Sequence, residues 1–269
     1  MNRFKDGGQV DKNTLSNKPE CSSLKVLGTA YAGSGDFVHL YLEPPLWEFS
    51  PGQFVMLRPE SWGLDPLWPR PFSICEKTAE YMRIFIQVVG RGTRLLSLCD
   101  PGSTINVTGP LGRGFRVPEG PLLILAGGMG IAPFLGLCKN HPYPQKISML
   151  FGHRLALKHY PFEESPGEMH KESMHQVSED DLKTFAQVLG ERIRDFAPKG
   201  EILACGPMPF LKVVQKYALA CKASVQISVE TRMACGVGAC LGCVVKTNEE
   251  EMVQSCLYGP VFAADKIVL

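Results

Sequence analysis

Along the chain, apolar residues first come in short alternating runs and later in unbroken blocks followed by helical spacing. Val38, Leu40 and Leu42 alternate with His39 and Tyr41, which predicts a half-buried strand ended by Pro44-Pro45. A strand starts at Gln53 to Leu57 after the Pro51-Gly52 turn, another covers Tyr81 to Val89, and Ile105 to Thr108 is a fourth. Short strands between Gly and Pro turns predict an antiparallel barrel or sandwich over residues 21–117.

From Pro121 the pattern changes. Leu122 to Leu125 is apolar throughout, as in a strand buried on both faces. Ala126-Gly127-Gly128-Met129-Gly130-Ile131-Ala132-Pro133 follows, then a helix to Lys139. Lys146 to Phe151 is a second strand, and a third ends at Cys205-Gly206-Pro207-Met208 ahead of a helix over Phe210 to Cys221. This alternation predicts an α/β domain with a parallel sheet over residues 118–225. Such sheets bind ligands at the carboxyl ends of their strands, where both glycine turns fall. The stretch from Leu155 to Asp181 shows little pattern, and its His159, His170 and His175 read as solvated loop histidines rather than a metal site.

Composition narrows the function classes. The chain has 269 residues, 45% hydrophobic, enough for a full core and more than one domain. With 28 basic and 27 acidic residues the net charge is +1, which gives no footprint for nucleic acid or an anionic membrane. Residues 1–20 are polar and lack an apolar core, so they read as a mobile tail and not a targeting signal. The apolar run from Pro121 to Cys138 is long enough to span a bilayer, but its glycines and prolines fit a strand, a turn and a helix.

Cysteine placement changes the picture most. Cys235, Cys240, Cys243 and Cys256 are spaced C-x4-C-x2-C-x12-C, and the spacing of the first three is that of plant-type [2Fe–2S] loops. Gly236, Gly238 and Gly242 between them allow the tight backbone that aims several thiolates at one centre. Disulfides suit small secreted scaffolds, and structural zinc pairs two short knuckles, so both fit less well. These cysteines anchor a small C-terminal unit, residues 226–269. The other six cysteines are scattered, and apart from Cys205 they read as apolar fillers.

Two barrel segments suggest cofactor chemistry. Arg70-Pro71-Phe72-Ser73 puts a guanidinium, a stiff turn, an aromatic ring and a hydroxyl together. Gly90-Arg91-Gly92-Thr93 precedes a short helix, a setting in which free N–H groups cradle pyrophosphate.

RPFS, GRGT, AGGMGIAP, CGPMP and CGVGACLGC, in this order, resemble the ferredoxin-reductase-like flavoproteins. The subgroup they are most similar to is the electron-transfer subunit of B-type dihydroorotate dehydrogenase, in which Gly259-Pro260-Val261-Phe262 also has a counterpart. The resemblance implies an FAD-binding β-barrel, an α/β nicotinamide-nucleotide domain and a terminal [2Fe–2S] domain. It puts Arg70 on the FAD pyrophosphate with Pro71, Phe72 and Ser73 along the cofactor, and Ser73 near flavin N5. Phe85, Ile86 and Gln87 flank the adenosine or ribityl part; Gly92 and Thr93 hold pyrophosphate. Gly127, Gly128, Gly130 and Pro133, with Cys205, Gly206, Pro207 and Met208, face the nicotinamide nucleotide, and Cys205 lies near the hydride path. Ser73 and Cys205 are the catalytic candidates; Cys235, Cys240, Cys243 and Cys256 are the metal ligands.

The sequence departs from the family at Gln87, where an arginine is frequent, and over Glu172 to Phe196, which lacks the usual glycine-rich loop. His153-Arg154 is compatible with a 2′-phosphate, which leaves both NAD and NADP open. The implied function is cytoplasmic electron transfer in pyrimidine biosynthesis, from an FMN-containing dihydroorotate-oxidising partner through [2Fe–2S] and FAD to NAD, in a heterotetramer. A reductase subunit with a ferredoxin or sulfide partner shares these motifs. A zinc-stapled interaction protein is the alternative outside enzymes.

Overall fold

The computed structural model describes residues 19–33 and 35–269. The tail expected over residues 1–20 lies outside them except for Pro19 and Glu20. Six strands close into a barrel: β1 (Glu20–Ala32), β2 (Phe37–Leu42), β3 (Phe54–Pro59), β4 (Arg70–Lys77), β5 (Met82–Gln87) and, after helix α1 (Arg91–Ser97), β6 (Thr104–Leu111). Their order is β1-β2-β5-β4-β3-β6, with every pairing antiparallel. Alternate residues such as Leu40, Leu42, Val55, Leu57, Ile84 and Ile86 fill the interior.

The outer face of β2 and β5 is also buried, contrary to the half-buried strand expected. Phe37 and Phe85 join a core that continues into the second domain through Phe115, Phe134, Phe151 and Tyr160. His39 stacks on Phe85 at 4.7 Å and is buried, not solvent-facing. Arg70 to Ser73 lies at the start of β4 rather than in a turn, and β1 adds a strand that the hydrophobic pattern did not mark.

The second domain comprises β7 (Leu122–Gly127), α2 (Ala132–Asn140), β8 (Ile147–His153), β9 (His170–His175), α3 (Glu179–Phe196), β10 (Glu201–Cys205), α4 (Met208–Cys221) and β11 (Val225–Ser228). The apolar run from Pro121 is thus a strand, a 3₁₀ turn over Gly128–Ile131 and a helix. Among the described residues no helix is long and apolar enough to cross a membrane. The stretch expected to be patternless holds β9, parallel to β8, and leads into the 18-residue α3. Ser178 and Asp181 cap α3 reciprocally, and Phe185, Leu189 and Ile193 bury one stripe of it.

Beyond β11 come β12 (Val244–Thr247), β13 (Met252–Gln254), α5 (Ser255–Tyr258), β14 (Val261–Ala263) and β15 (Ile267–Val268). β13, β12 and β15 form a three-stranded antiparallel sheet. β14 returns to the larger sheet as its antiparallel edge, giving the order β14-β11-β10-β7-β8-β9. The α/β sheet therefore takes in β11 and β14, so it does not end at residue 225.

A charged clamp crosses the domain boundary. Arg83 on β5 holds Glu164 through both terminal nitrogens, at 2.6 and 2.7 Å, and its Nε donates to His39 Nδ1 at 3.0 Å. Lys139 on α2 pairs with Glu76 on β4 at 2.9 Å. Buried charges of this kind persist because each is paired.

Candidate functional site

The barrel edge and the carboxyl edge of the α/β sheet face one another across a cleft of about 780 Å³. β4 supplies Arg70, Pro71, Phe72 and Ser73; β5 supplies Phe85 and Gln87, and Thr93 adds to the same wall. The opposite wall is Gly127, Gly128 and Gly130, with Cys205, Gly206 and Pro207. Four predicted residues do not line it. Ile86 points into the barrel interior, because side chains alternate along β5. Gly92 lies behind Arg70, and Pro133 and Met208 sit in the first turns of α2 and α4.

Arg70 joins the two barrel motifs. Its Nη1 donates to the Trp68 carbonyl at 2.8 Å, and a Cβ on Gly92 would come within 2.9 Å of its Nε. Only glycine at 92 leaves the arginine stem in place. Thr93 Oγ1 accepts the Val89 and Gly90 N–H groups, each at 3.0 Å, which fixes the start of α1.

On the sheet side, glycines set the shape. Gly130 rests on the backbone of Cys205, and any side chain there would collide with its carbonyl. Gly127 and Gly206 both abut Phe210. Cys205 lies beside Ser228 in the pairing of β10 with β11. Burial pushes its thiol up to about 12, although the Ser228 hydroxyl donates to it, so Cys205 is neutral at physiological pH.

The structure brings in residues the motifs did not name. Ser228, Val229, Glu230, Thr231 and Met233 line the cleft as the chain leaves β11 for the cysteine loop. They lie at the carboxyl end of a sheet strand, the one signal that could have found them. Gln176, just past β9, and Phe185 of α3 also enter. Phe54 enters from β3, where it pairs with Ser73.

The cysteine loop packs on the barrel wall. Cys243 and Cys256 share an apolar cluster with Phe54, Met56 and Leu111. Gly236 and Gly238 take φ of +72° and +80°, conformations that favour glycine. Gly238 N–H donates to Cys256 Sγ at 3.1 Å, and Cys240 N–H to Cys235 Sγ at 3.4 Å. Burial acts to raise the Cys235 thiol, but the N–H groups of Cys240, Val237 and Ala239 and the Cys240 side chain outweigh it and draw it down to about 7. Burial and the neighbouring Cys243 push Cys256 up to about 12. The sulfurs associate as Cys235 with Cys240 and Cys243 with Cys256. Among the described residues no three His, Cys, Asp or Glu side chains form a ready ligand shell. His159, His170 and His175 do not converge on one point either: His175 stacks on His153 at 5.0 Å, whereas His159 packs edge-on against Phe37.

Comparison with known proteins agrees with this arrangement. Residues 230–268 match the family model described as the iron-sulfur cluster binding domain of dihydroorotate dehydrogenase B. The chain is 35% identical over 222 residues to the dihydroorotate dehydrogenase B (NAD(+)) electron transfer subunit of Caldanaerobacter subterraneus, covering 81% of this chain and 87% of the relative. It is 34% identical to the same subunit of Clostridium acetobutylicum, covering 83% and 88%. A homolog of that subunit from Aquifex aeolicus is 31% identical, covering 92% and 98%. Among solved structures, one described as an NADH-dependent reduced ferredoxin-NADP oxidoreductase superposes with a TM-score of 0.75 at 22% identity, over 91% of this chain and 89% of that one. The ferredoxin reductase in carbazole 1,9a-dioxygenase gives 0.65 at 18% identity, over 79% and 68%. These two likenesses establish the fold.

Proposed function

The chain belongs to the family of dihydroorotate dehydrogenase B electron-transfer subunits, flavin- and nicotinamide-linked oxidoreductases, and from that premise we propose that it relays electrons between a dihydroorotate-oxidising partner and NAD(H) in pyrimidine biosynthesis. The partner is an FMN-containing subunit, met in a cytoplasmic heterotetramer. When bound, FAD exchanges hydride with the nicotinamide and single electrons with a [2Fe–2S] centre, chemistry that side chains do not supply.

The observation that carries this reading is one cleft with a barrel wall of Arg70 to Ser73 and a sheet wall of glycine turns. Arg70 would hold the FAD diphosphate by charge-assisted bonds, with Gly92 keeping its stem in place. Pro71 and Phe72 would shape the wall against the flavin, and Ser73 would offer it a hydroxyl. Phe85 and Gln87 close the side toward the second domain. Gly127, Gly128, Gly130, Gly206 and Pro207 let the nicotinamide nucleotide approach the strand ends closely. Cys205, neutral and facing the cleft, is suited to hydrogen bonding at the hydride-transfer site and not to thiolate attack.

Four soft sulfur donors with inward-turned N–H groups fit a [2Fe–2S] cluster, which would draw the two cysteine pairs together as it binds. The proposed domains are the barrel over residues 21–117, the nucleotide domain from 118 and the cluster unit from 226, which lends β14 back to the sheet.

Anaerobically purified protein should carry FAD, with about two irons and two acid-labile sulfides per chain. Stoichiometric zinc without labile sulfide would refute the cluster assignment.

A further inference from the structure

Where the chain leaves β11 it is tied to the segment that starts at Ser255. Ser228 pairs with Val261, and Val229 N–H donates to the Pro260 carbonyl at 2.9 Å. These are backbone ties. A third tie is made by side chains alone: the Thr231 and Ser255 hydroxyls lie 2.7 Å apart. Thr231 lines the cleft and precedes the cysteine loop, whereas Ser255 opens α5 and directly precedes Cys256.

Ser255 also reaches the cysteines on its other side. Its N–H donates to the Cys243 carbonyl at 2.6 Å. Leu257 of α5 packs against Gly238, whose N–H donates to Cys256 Sγ at 3.1 Å. One residue thus holds the backbone of the third cysteine, is covalently joined to the fourth, and bonds a residue of the cleft wall.

The Ser255 side chain is fully buried beside Cys256. A buried hydroxyl costs free energy unless it is bonded, and an alanine in that place carries no such cost. The hydroxyl does not serve as a helix cap, since no side chain caps α5. Its bond to Thr231 is what it contributes.

We propose that the Thr231–Ser255 hydroxyl pair positions Cys243 and Cys256 against the cleft wall, and so sets how well the sulfur site exchanges electrons with the flavin. The inference rests on the proposed cluster and flavin sites. Groups just behind metal ligands orient them and tune the centre they hold. Both residues are positioning residues: neither is a sulfur donor, and Ser255 does not line the cleft. Breaking their bond leaves the four cysteines, Arg70 and the glycine turns in place and loosens only how the two sites sit against each other. Electron exchange depends on that placement, and hydride exchange within the cleft does not.

The test uses flavin- and iron-loaded protein purified anaerobically, as wild type, Ser255→Ala, Thr231→Val, the double variant and Thr231→Ser. Each is measured for iron and labile sulfide, for the electron paramagnetic resonance spectrum after dithionite reduction, for flavin bleaching by NADH, and for dihydroorotate-dependent NADH formation in the reconstituted complex. Ser255→Ala should keep flavin bleaching within about twofold, alter the g values of the reduced signal, and lower partner-coupled turnover by about tenfold or more. Thr231→Val should alter the signal and the turnover in the same way. The double variant should be no worse than the worse single, because both singles remove the same bond. Thr231→Ser, which keeps the hydroxyl, should restore the wild-type spectrum and turnover. If Ser255→Ala does not hold iron, Thr231→Val decides, since it lies outside the cysteine loop. A wild-type spectrum and turnover in Thr231→Val, or losses that add in the double variant, overturn the role of the pair. Wild-type protein without iron and labile sulfide overturns the cluster reading itself, and the inference with it.

Discussion

Phe54 pairs with Ser73 across β3 and β4, and its ring belongs to the apolar cluster that also holds Cys243 and Cys256. One side chain thus joins the cleft wall to the cysteine segment. The proposed cluster site and the proposed flavin site are neighbours on the barrel, without an intervening domain.

Docking of the cysteine loop onto the barrel depends on Gly236. A Cβ there would come within 2.6 Å of Met56 Cγ, at a φ of +72°. Gly236→Val should therefore lift the loop and lower iron and labile sulfide content severely while FAD is retained. Iron analysis and flavin absorbance on one preparation read both. Full iron content would show that loop docking does not depend on this contact.

FAD affinity should depend on Arg70 and, through it, on Gly92. Arg70→Ala removes a charge-assisted contact to phosphate, a loss of about 1.5–3 kcal/mol. Fluorescence titration of apoprotein should show Kd raised roughly tenfold to a hundredfold. Gly92→Ala should weaken FAD by less, since the arginine is displaced rather than removed. Wild-type FAD affinity in Arg70→Ala would refute the assignment.

The domain clamp should make stability fall in acid. Burial, with the adjacent Arg83, lowers His39 from its usual range to about 4 despite Glu164 nearby. Glu164 is itself held below the usual carboxylate range, chiefly by its hydrogen bonds to Arg83. In both cases the unfolded chain binds more protons than the folded one. The His39 contribution is complete above about pH 6.5 and is lost as pH falls toward 4; that of Glu164 follows below about 4.5. Thermal unfolding between pH 7 and 4 should show a falling Tm, and His39→Gln should flatten the upper part of the curve. A Tm independent of pH in wild-type protein would contradict the clamp.

Much of this architecture was legible because local signals agreed with the fold. Leu122 to Pro133 announced a strand, a glycine turn and a helix, and they form as expected. The two glycine turns and RPFS meet in one cleft, as strand ends and motif order implied. β9 stayed hidden because it is an edge strand of mostly polar residues, His170 to His175, with no apolar alternation. α3 could have been found from Ser178 and Asp181, a cap pair ahead of the Phe185, Leu189 and Ile193 stripe. His39 is buried although the alternation along β2 predicts a solvent face there, because the second domain covers that face. Gln176 carries no motif; only the folded position of β9 brings it to the cleft.

The central claim is that the cysteine segment serves the partner side of the flavin and the α/β cleft serves the nucleotide side. Stopped-flow kinetics of Cys243→Ala tests it most directly, comparing flavin bleaching by NADH with dihydroorotate-dependent NADH formation in the reconstituted complex. Cys243 is buried against Phe54 and Met56 and does not line the cleft, so its loss leaves the glycine turns untouched. The account predicts near-normal flavin bleaching and severely reduced partner-coupled turnover. If both rates fall together at normal FAD occupancy, or if neither falls, the arrangement is contradicted.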